Sequence, residues 1–316
     1  MSALQGKRIL IFQQRGWGKT IGRFLAKKLY DEGCYLAALT SKRSTHELIV
    51  EQPNVKYELI INHYDFYHDT KKYLNGEVYS LTEICKELGV DSVWPLASAL
   101  RQYVKSYGEK YYYSFKQNIS DEGIVDYLMA SYKCVKRFFN EFKPDVIISP
   151  NFVSTHHLMF SLYAKKRGVP MIAITDPRIK GFTIFTHDYL ESTGLFYEHL
   201  DKLNVGIEDS PNRESAKKYM DEFRKKFIKP IYKTTFDEND KRTLIQKIKF
   251  ELSPYVQIAR WCLNMVRLYL KMPTDFFSEY SEFLGPTPDY KPPRIILRDH
   301  YAEKRYIKIM NNFDYF

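Results

Sequence analysis

The stretch KPDVIISPNFVSTHHLMFSLYAKKRGVPMIAITDPR, from Lys143 to Arg178, decides the fold. Asp145 to Ser149 is an apolar, β-branched run too short for a helix, and Pro150 and Asn151 break it. A second such run follows at Pro170 to Thr175. Between them Thr155 can cap a helix that ends at Gly168, with Leu158, Leu162 and Ala164 turned inward and Lys165, Lys166 and Arg167 in the last turn, where positive charge suits the helix dipole. Strand, helix and strand make a right-handed βαβ unit. In such units ligands sit beyond the carboxyl ends of the strands, so Asn151, His156 and His157 after one strand and Asp176 and Arg178 after the next should face one crevice.

Working outward toward the N-terminus, Lys7 to Gln14 is a strand, and the turn Arg15-Gly16-Trp17-Gly18 leads to a helix reaching Gly33, with Ile21, Phe24, Leu25 and Leu29 on its inner face. Further strands are expected at CYLAALT, ending at Thr40, at Tyr57 to Asn62 and at Asp91 to Leu96, and Ser80 caps a helix through Leu88. Arg101 to Phe115, rich in tyrosine, reads as a surface helix or loop. Ser120 starts a helix whose buried stripe is Ile124, Leu128, Tyr132, Val135 and Phe138 or Phe139. This alternation predicts an α/β domain over residues 1–190, a parallel sheet of about six strands flanked by helices. After Arg178 the segment GFTIFTHDYL offers at most one more strand. Residues 191–316 then read as a helical extension and connector, with helices at Arg213 to Phe227, Lys241 to Leu252, Tyr255 to Met272 and Arg294 to Asn311, and a Pro-rich linker at Gly285 to Pro293.

The totals narrow the class. A chain of 316 residues, 44% hydrophobic and 16% aromatic, can bury a substantial core. The opening residues carry no secretory signal pattern and no apolar run reaches spanning length, which predicts a cytoplasmic protein, peripheral to the membrane at most. Cys34, Cys85, Cys134 and Cys262 lie far apart, so neither a disulfide framework nor a zinc site is expected, and the thiols should be reduced and buried. The formal charge of +10 is uneven, +3 over residues 1–212 and +7 over 213–316. The basic residues are not interleaved with aromatics along a nucleic-acid-binding module, so nucleic acid is not an expected partner.

Three constellations carry chemistry. In QQRGWGKTIG, Gly18-Lys19-Thr20 opens a helix after a strand, but Gln13 stands where the first glycine of a GxxxxGK[ST] phosphate loop belongs. What survives is a possible hold on one anionic group by Arg15, Gly16, Trp17, Gly18 and Lys19. The segment Asn62 to Asp69 packs two histidines and two aspartates but has no metal signature, and reads as a solvated loop. His156 and His157 stand at the head of a helix, where positive charge opposes the dipole and an imidazole stays neutral. One of them, or Asp176, is the candidate general base, with Asn151 and Arg178 as substrate ligands. No metal and no tightly bound cofactor are expected. In the helix Tyr255 to Met272 the polar residues Gln257, Arg260, Asn264, Arg267 and Lys271 form a narrow stripe. It is either buried on most sides or lies on an anionic membrane surface with Trp261 and Tyr269 at headgroup level.

The opening strand followed by RGWGKTIGRFLAKKLYDEG, and FKPDVIISPN followed by a helix and GVPMIAIT, resemble bacterial capsular and cell-surface polysaccharide biosynthesis proteins, specifically the N-terminal half of GT-B-like glycosyltransferases. The likeness covers about residues 7–180. It implies a Rossmann-like, acceptor-binding half of a transferase that moves sugar from a nucleotide-activated donor to a glycan or lipid-linked acceptor. Nothing after Pro211 resembles the donor-binding domain that follows in those enzymes, which implies either a continuation or a partner. A non-catalytic glycan- or membrane-binding module of the same fold, and a phosphate-loop enzyme using Lys19, are the alternatives.

Overall fold

A computed structural model describes residues 3–100, 119–175, 177, 179, 182–225, 243–271 and 293–311. The tyrosine-rich Arg101 to Phe115, Asp176, Arg178 and the linker up to residue 292 lie outside these residues. The described chain falls into two units, one built on a sheet and reaching Glu208, the other helical from Asp209 on, with Ile179 and Phe182 counted in the second.

The sheet has six strands: β1 (Arg8–Gln14), β2 (Tyr35–Ser41), β3 (Tyr57–Asn62), β4 (Val146–Ser149), β5 (Met171–Thr175) and β6 (Ile184–Thr186), in the order β3-β2-β1-β4-β5-β6. The first five pair in parallel, with Ile11 opposite both Ala38 and Ile148, and β6 runs antiparallel to β5. Strands covered on both faces read as unbroken apolar runs, and β1 buries every residue from Ile9 to Phe12. Its alternate residues serve opposite layers. Leu10 and Phe12 join the larger cluster with Leu39, Ile61, Phe138 and Phe160, whereas Ile9 and Ile11 pack with Ala26, Leu29 and Leu36.

Helices α1 (Arg15–Lys19), α2 (Ile21–Asp31) and α3 (Arg43–Val50) follow the first two strands. After β3 come α4 (His63–His68), α5 (Thr70–Leu74), α6 (Leu81–Leu88), α7 (Trp94–Ala97) and α8 (Asp121–Arg137). Helix α9 (Thr155–Lys166) joins β4 to β5, and α10 (Leu195–Asn204) follows β6. The side chains of Ser80 and Ser120 accept from the amides of Glu83 and Gly123, capping α6 and α8. In the helical unit α11 (Arg213–Lys225) has no buried residue, and α12 (Leu244–Lys271) pairs with α13 (Pro293–Asn311). Among the described residues no helix is long and apolar enough to cross a membrane.

Several expectations are corrected. Asp91 to Leu96 is not a strand: Pro95 cannot donate to a ladder but fits the first turn of α7, and β6 supplies the sixth strand instead. Of the expected inner face of α2, Leu29 is buried and Leu25 packs against the same layer, but Ile21 and Phe24 point outward, 57% and 76% exposed. Gly22, Ala26 and Leu29 face the sheet, because the small residues let the helix backbone approach the strands more closely than Ile21 or Phe24 would permit. Arg15 to Gly18 is already helical, and the chain breaks direction one turn later at Thr20. The segment after Asn62 is not a solvated loop but α4, whose His63, Tyr64, Phe66 and Tyr67 are buried. The two expected helices, as far as they are described, form one helix, Leu244–Lys271, with Pro254 inside it. Cys262 on that helix is exposed.

Candidate functional site

The chain leaves β1 toward β2 on one side and returns to β4 on the other, so the loops after β1 and β4 diverge at the carboxyl edge, the position at which sheets of this order bind ligands. Two polar side chains bridge that edge. Gln14, the last residue of β1, donates from Nε2 to Asn151 Oδ1 at 3.3 Å, and Ser149 Oγ donates to the Asn151 carbonyl at 2.7 Å. The second bond holds the turn that Pro150 begins, and so aims Asn151 at β1.

His156 and His157 follow on the first turn of α9. They are 6% and 1% exposed, and their ring centroids lie 4.3 Å apart. His63, the first residue of α4, stands at the end of the neighbouring β3 and brings its ring to 4.3 Å from His156. Its Nε2 lies 2.8 Å from the Tyr127 hydroxyl of α8. Phe12 supplies the floor, 5.1 Å from the His157 ring. Ser154, at the N-cap of α9, turns its hydroxyl to the imidazoles, 3.1 Å from His156 Nδ1 and in contact with His157 Nδ1, rather than to a backbone amide. Thr155 Oγ1 donates to the Leu96 carbonyl at 2.9 Å, anchoring this end of the helix to α7.

Burial sets the charge of this cluster. It takes His156 down to about 3. For His157 burial acts first, and the nearby His156 and His63 push in the same direction, well below the ordinary histidine range. Both rings are therefore neutral at physiological pH. Among the described residues His157 Nε2 is buried with no hydrogen-bond partner, an uncommon state for an imidazole nitrogen in a core.

The first βα segment is organised by packing. A Cβ on Gly18 would lie 2.9 Å from the Gln13 backbone carbon and 3.1 Å from Thr45 Cγ2, and one on Gly22 would lie 2.1 Å from Gln13 Oε1 and 2.5 Å from the Trp17 ring. Gln13 itself is buried and donates to the Gly22 carbonyl at 3.0 Å. Gly16 has open space around it, and Lys19 is exposed. Trp17 is half-buried, while the backbone of Arg15 opens α1. The structure thus brings Asn151, His156 and His157 to one edge with the β1 end, while Asp176 and Arg178 lie outside the described residues. Among the described residues no group of three or more histidine, cysteine or acidic side chains is placed to hold a metal ion.

Sequence reasoning missed Gln14, Ser154 and Tyr127, and placed His63 in a solvated loop. His63 and Gln14 could have been found by the rule that located Asn151, since each sits at or just past the carboxyl end of a parallel strand. Tyr127 lies within a helix, and only the tertiary fold brings it to His63. No protein-family model matches the chain, and no curated protein matches it significantly.

Proposed function

We propose that the sheet unit is the acceptor-binding half of a GT-B-like glycosyltransferase of bacterial capsular or surface polysaccharide biosynthesis. The observation that carries this reading is the Gln14–Asn151 bridge across the β1/β4 edge beside two neutral imidazoles. A sugar acceptor presents hydroxyls that both donate and accept. Amide side chains satisfy such groups in both directions, and a neutral imidazole nitrogen accepts from a hydroxyl. In the transferase reading the acceptor hydroxyl passes its proton to His156 or His157, or to Asp176, as its oxygen bonds to the anomeric carbon of a nucleotide sugar. The nucleoside diphosphate departs with the bond electrons, giving inversion. In this reading the exposed Lys19 of α1 contributes positive charge for an acidic sugar or phosphate, the task the sequence also suggests for Arg15 and Arg178.

A second reading, a glycan-binding module without turnover, is favoured by the same burial, since a ring held near 3 is a weak base. One set of measurements separates them. Titrating the chain with short surface-polysaccharide oligosaccharides should shift the NMR resonances of Gln14, Asn151 and His156, and nucleotide sugars alone should not. In the presence of donor and any donor-binding continuation, His156→Ala or His157→Ala should lower turnover about a hundredfold while glycan binding persists. Binding without turnover selects the module. Shifts at these residues from nucleotide sugars and none from glycans would overturn both.

A further inference from the structure

Helix α12 has two apolar sides, and α13 covers one of them. On that side Phe250 stacks 4.7 Å from the His300 ring, and Pro254 and Met265 are buried. At its border Glu251 pairs with Lys304 at 2.7 Å. Trp261 is half-buried on this same side, with its indole nitrogen shielded. It is therefore not the interfacial anchor that the sequence suggested. The other side carries Ile248, Leu252, Tyr255, Leu263, Val266 and Leu270, each between 51% and 74% exposed. At about 100° per residue these six fall within an arc of about 80°. The arc runs most of a helix about 42 Å long, at about 1.5 Å per residue.

What borders this face identifies its occupant. Lys249 and Arg260 lie along one margin, and the sequence continues that row with Arg267 and Lys271. The sole acidic residue of α12, Glu251, faces Lys304 of α13 instead. An antiparallel second copy of the chain would bring the like-charged margins together, which opposes that pairing. An anionic bilayer complements them, because its hydrocarbon boundary takes the apolar face and its headgroups take the lysines and arginines. We propose that α12 lies in the plane of an anionic membrane surface, with the Ile248 to Leu270 face immersed and the Lys249 and Arg260 margin on lipid headgroups. The helix rests on the surface without crossing it. This assignment rests on the helical unit alone and stands or falls independently of the transferase reading.

The test uses the full chain and sedimentation with vesicles. Binding should be strong to phosphatidylcholine vesicles holding about 30 mol % phosphatidylglycerol, weak to pure phosphatidylcholine, and reduced at least about tenfold between about 0.05 M and about 0.5 M salt. Lys249→Glu with Arg260→Glu should weaken it at least about tenfold, as should Leu252→Gln with Val266→Gln. These positions are exposed, so circular dichroism should be unchanged and loss of folding can be told from loss of binding. Equal binding to both vesicle types, or wild-type binding by both double variants, would overturn the proposal. So would a dimer that Leu252→Gln dissociates and that binds no vesicles.

Discussion

The two units of this chain treat similar apolar residues in opposite ways. In the sheet unit Ile9 to Phe12 of β1 and Phe160 of α9 are wholly enclosed, because layers of helix cover both faces of a parallel sheet. In the helical unit Leu263, Val266 and Leu270 are just as apolar and lie outside, while α11 buries nothing. An apolar residue is a core residue only where the topology supplies a second layer. Where a helix has one partner and two apolar sides, the uncovered side stays exposed.

The contrast breaks most visibly under truncation. Phe160 sits 5.0 Å from the Phe12 ring and 5.7 Å from that of Phe138, so Phe160→Ala should cost about 3–5 kcal/mol of stability. Leu263→Ala should stay within about 0.5 kcal/mol, although it removes a comparable hydrophobe. Urea unfolding followed by circular dichroism measures both, and similar losses at the two positions would mean that α12 is covered after all.

Acid sharpens the comparison next. His156 and His157 are held neutral by burial, so their folded values lie below the ordinary histidine value near 6.5. The folded state therefore declines protons that the unfolded chain accepts. Stability is full above about pH 6.5 and falls as pH drops toward the folded values, by about 1.4 kcal/mol per pH unit for each histidine. For His156 this window reaches down to about 3. His157→Asn should flatten the slope of stability against pH over this range.

A smaller effect distinguishes the glycines of the first βα segment. Gly18→Ala and Gly22→Ala force an added carbon against the Gln13 backbone and against the Gln13 amide and Trp17 ring, and should cost about 1–3 kcal/mol. Gly16→Ala meets nothing within 4 Å and should stay within about 0.5 kcal/mol, or gain slightly from helix propensity. Equal costs at all three would place the origin in backbone conformation rather than in packing.

Much of the sheet was legible because its strands are short apolar runs bounded by Pro, Gly and Asn, and five of the six expected runs are the parallel strands. Asp91 to Leu96 misled because it is an apolar run of strand length, whereas its buried residues Val93, Leu96 and Leu100 are three and four apart, the spacing of one helical face. The α2 face misled because hydrophobicity was read by bulk, whereas close packing on a sheet selects Gly22 and Ala26. At the site, position after a strand located Asn151, His156 and His157. The depth of the histidines was not legible, since it depends on Phe12, His63 and Tyr127 arriving from three other elements.

The smallest expected effect concerns Lys19, and it tests whether the Gly18-Lys19-Thr20 sequence is a phosphate loop at all. Such a loop wraps phosphates with free backbone amides and offers its threonine hydroxyl to magnesium. Here Arg15 to Lys19 is a helix, and the Thr20 hydroxyl donates to the Gly16 carbonyl at 2.8 Å. The Thr20 amide is likewise engaged, by the Trp17 carbonyl at 3.1 Å. Gly18, which would let the backbone approach a phosphate, is instead buried against Gln13 and Thr45. An ATP molecule would have to unwind α1 and displace β1 packing to reach these groups. Lys19→Ala should accordingly leave ATP affinity within about twofold of wild type by calorimetry, with or without magnesium. Tight, magnesium-dependent binding abolished by that substitution would show that the segment rearranges, and would move the candidate site from the histidine cluster to the end of β1.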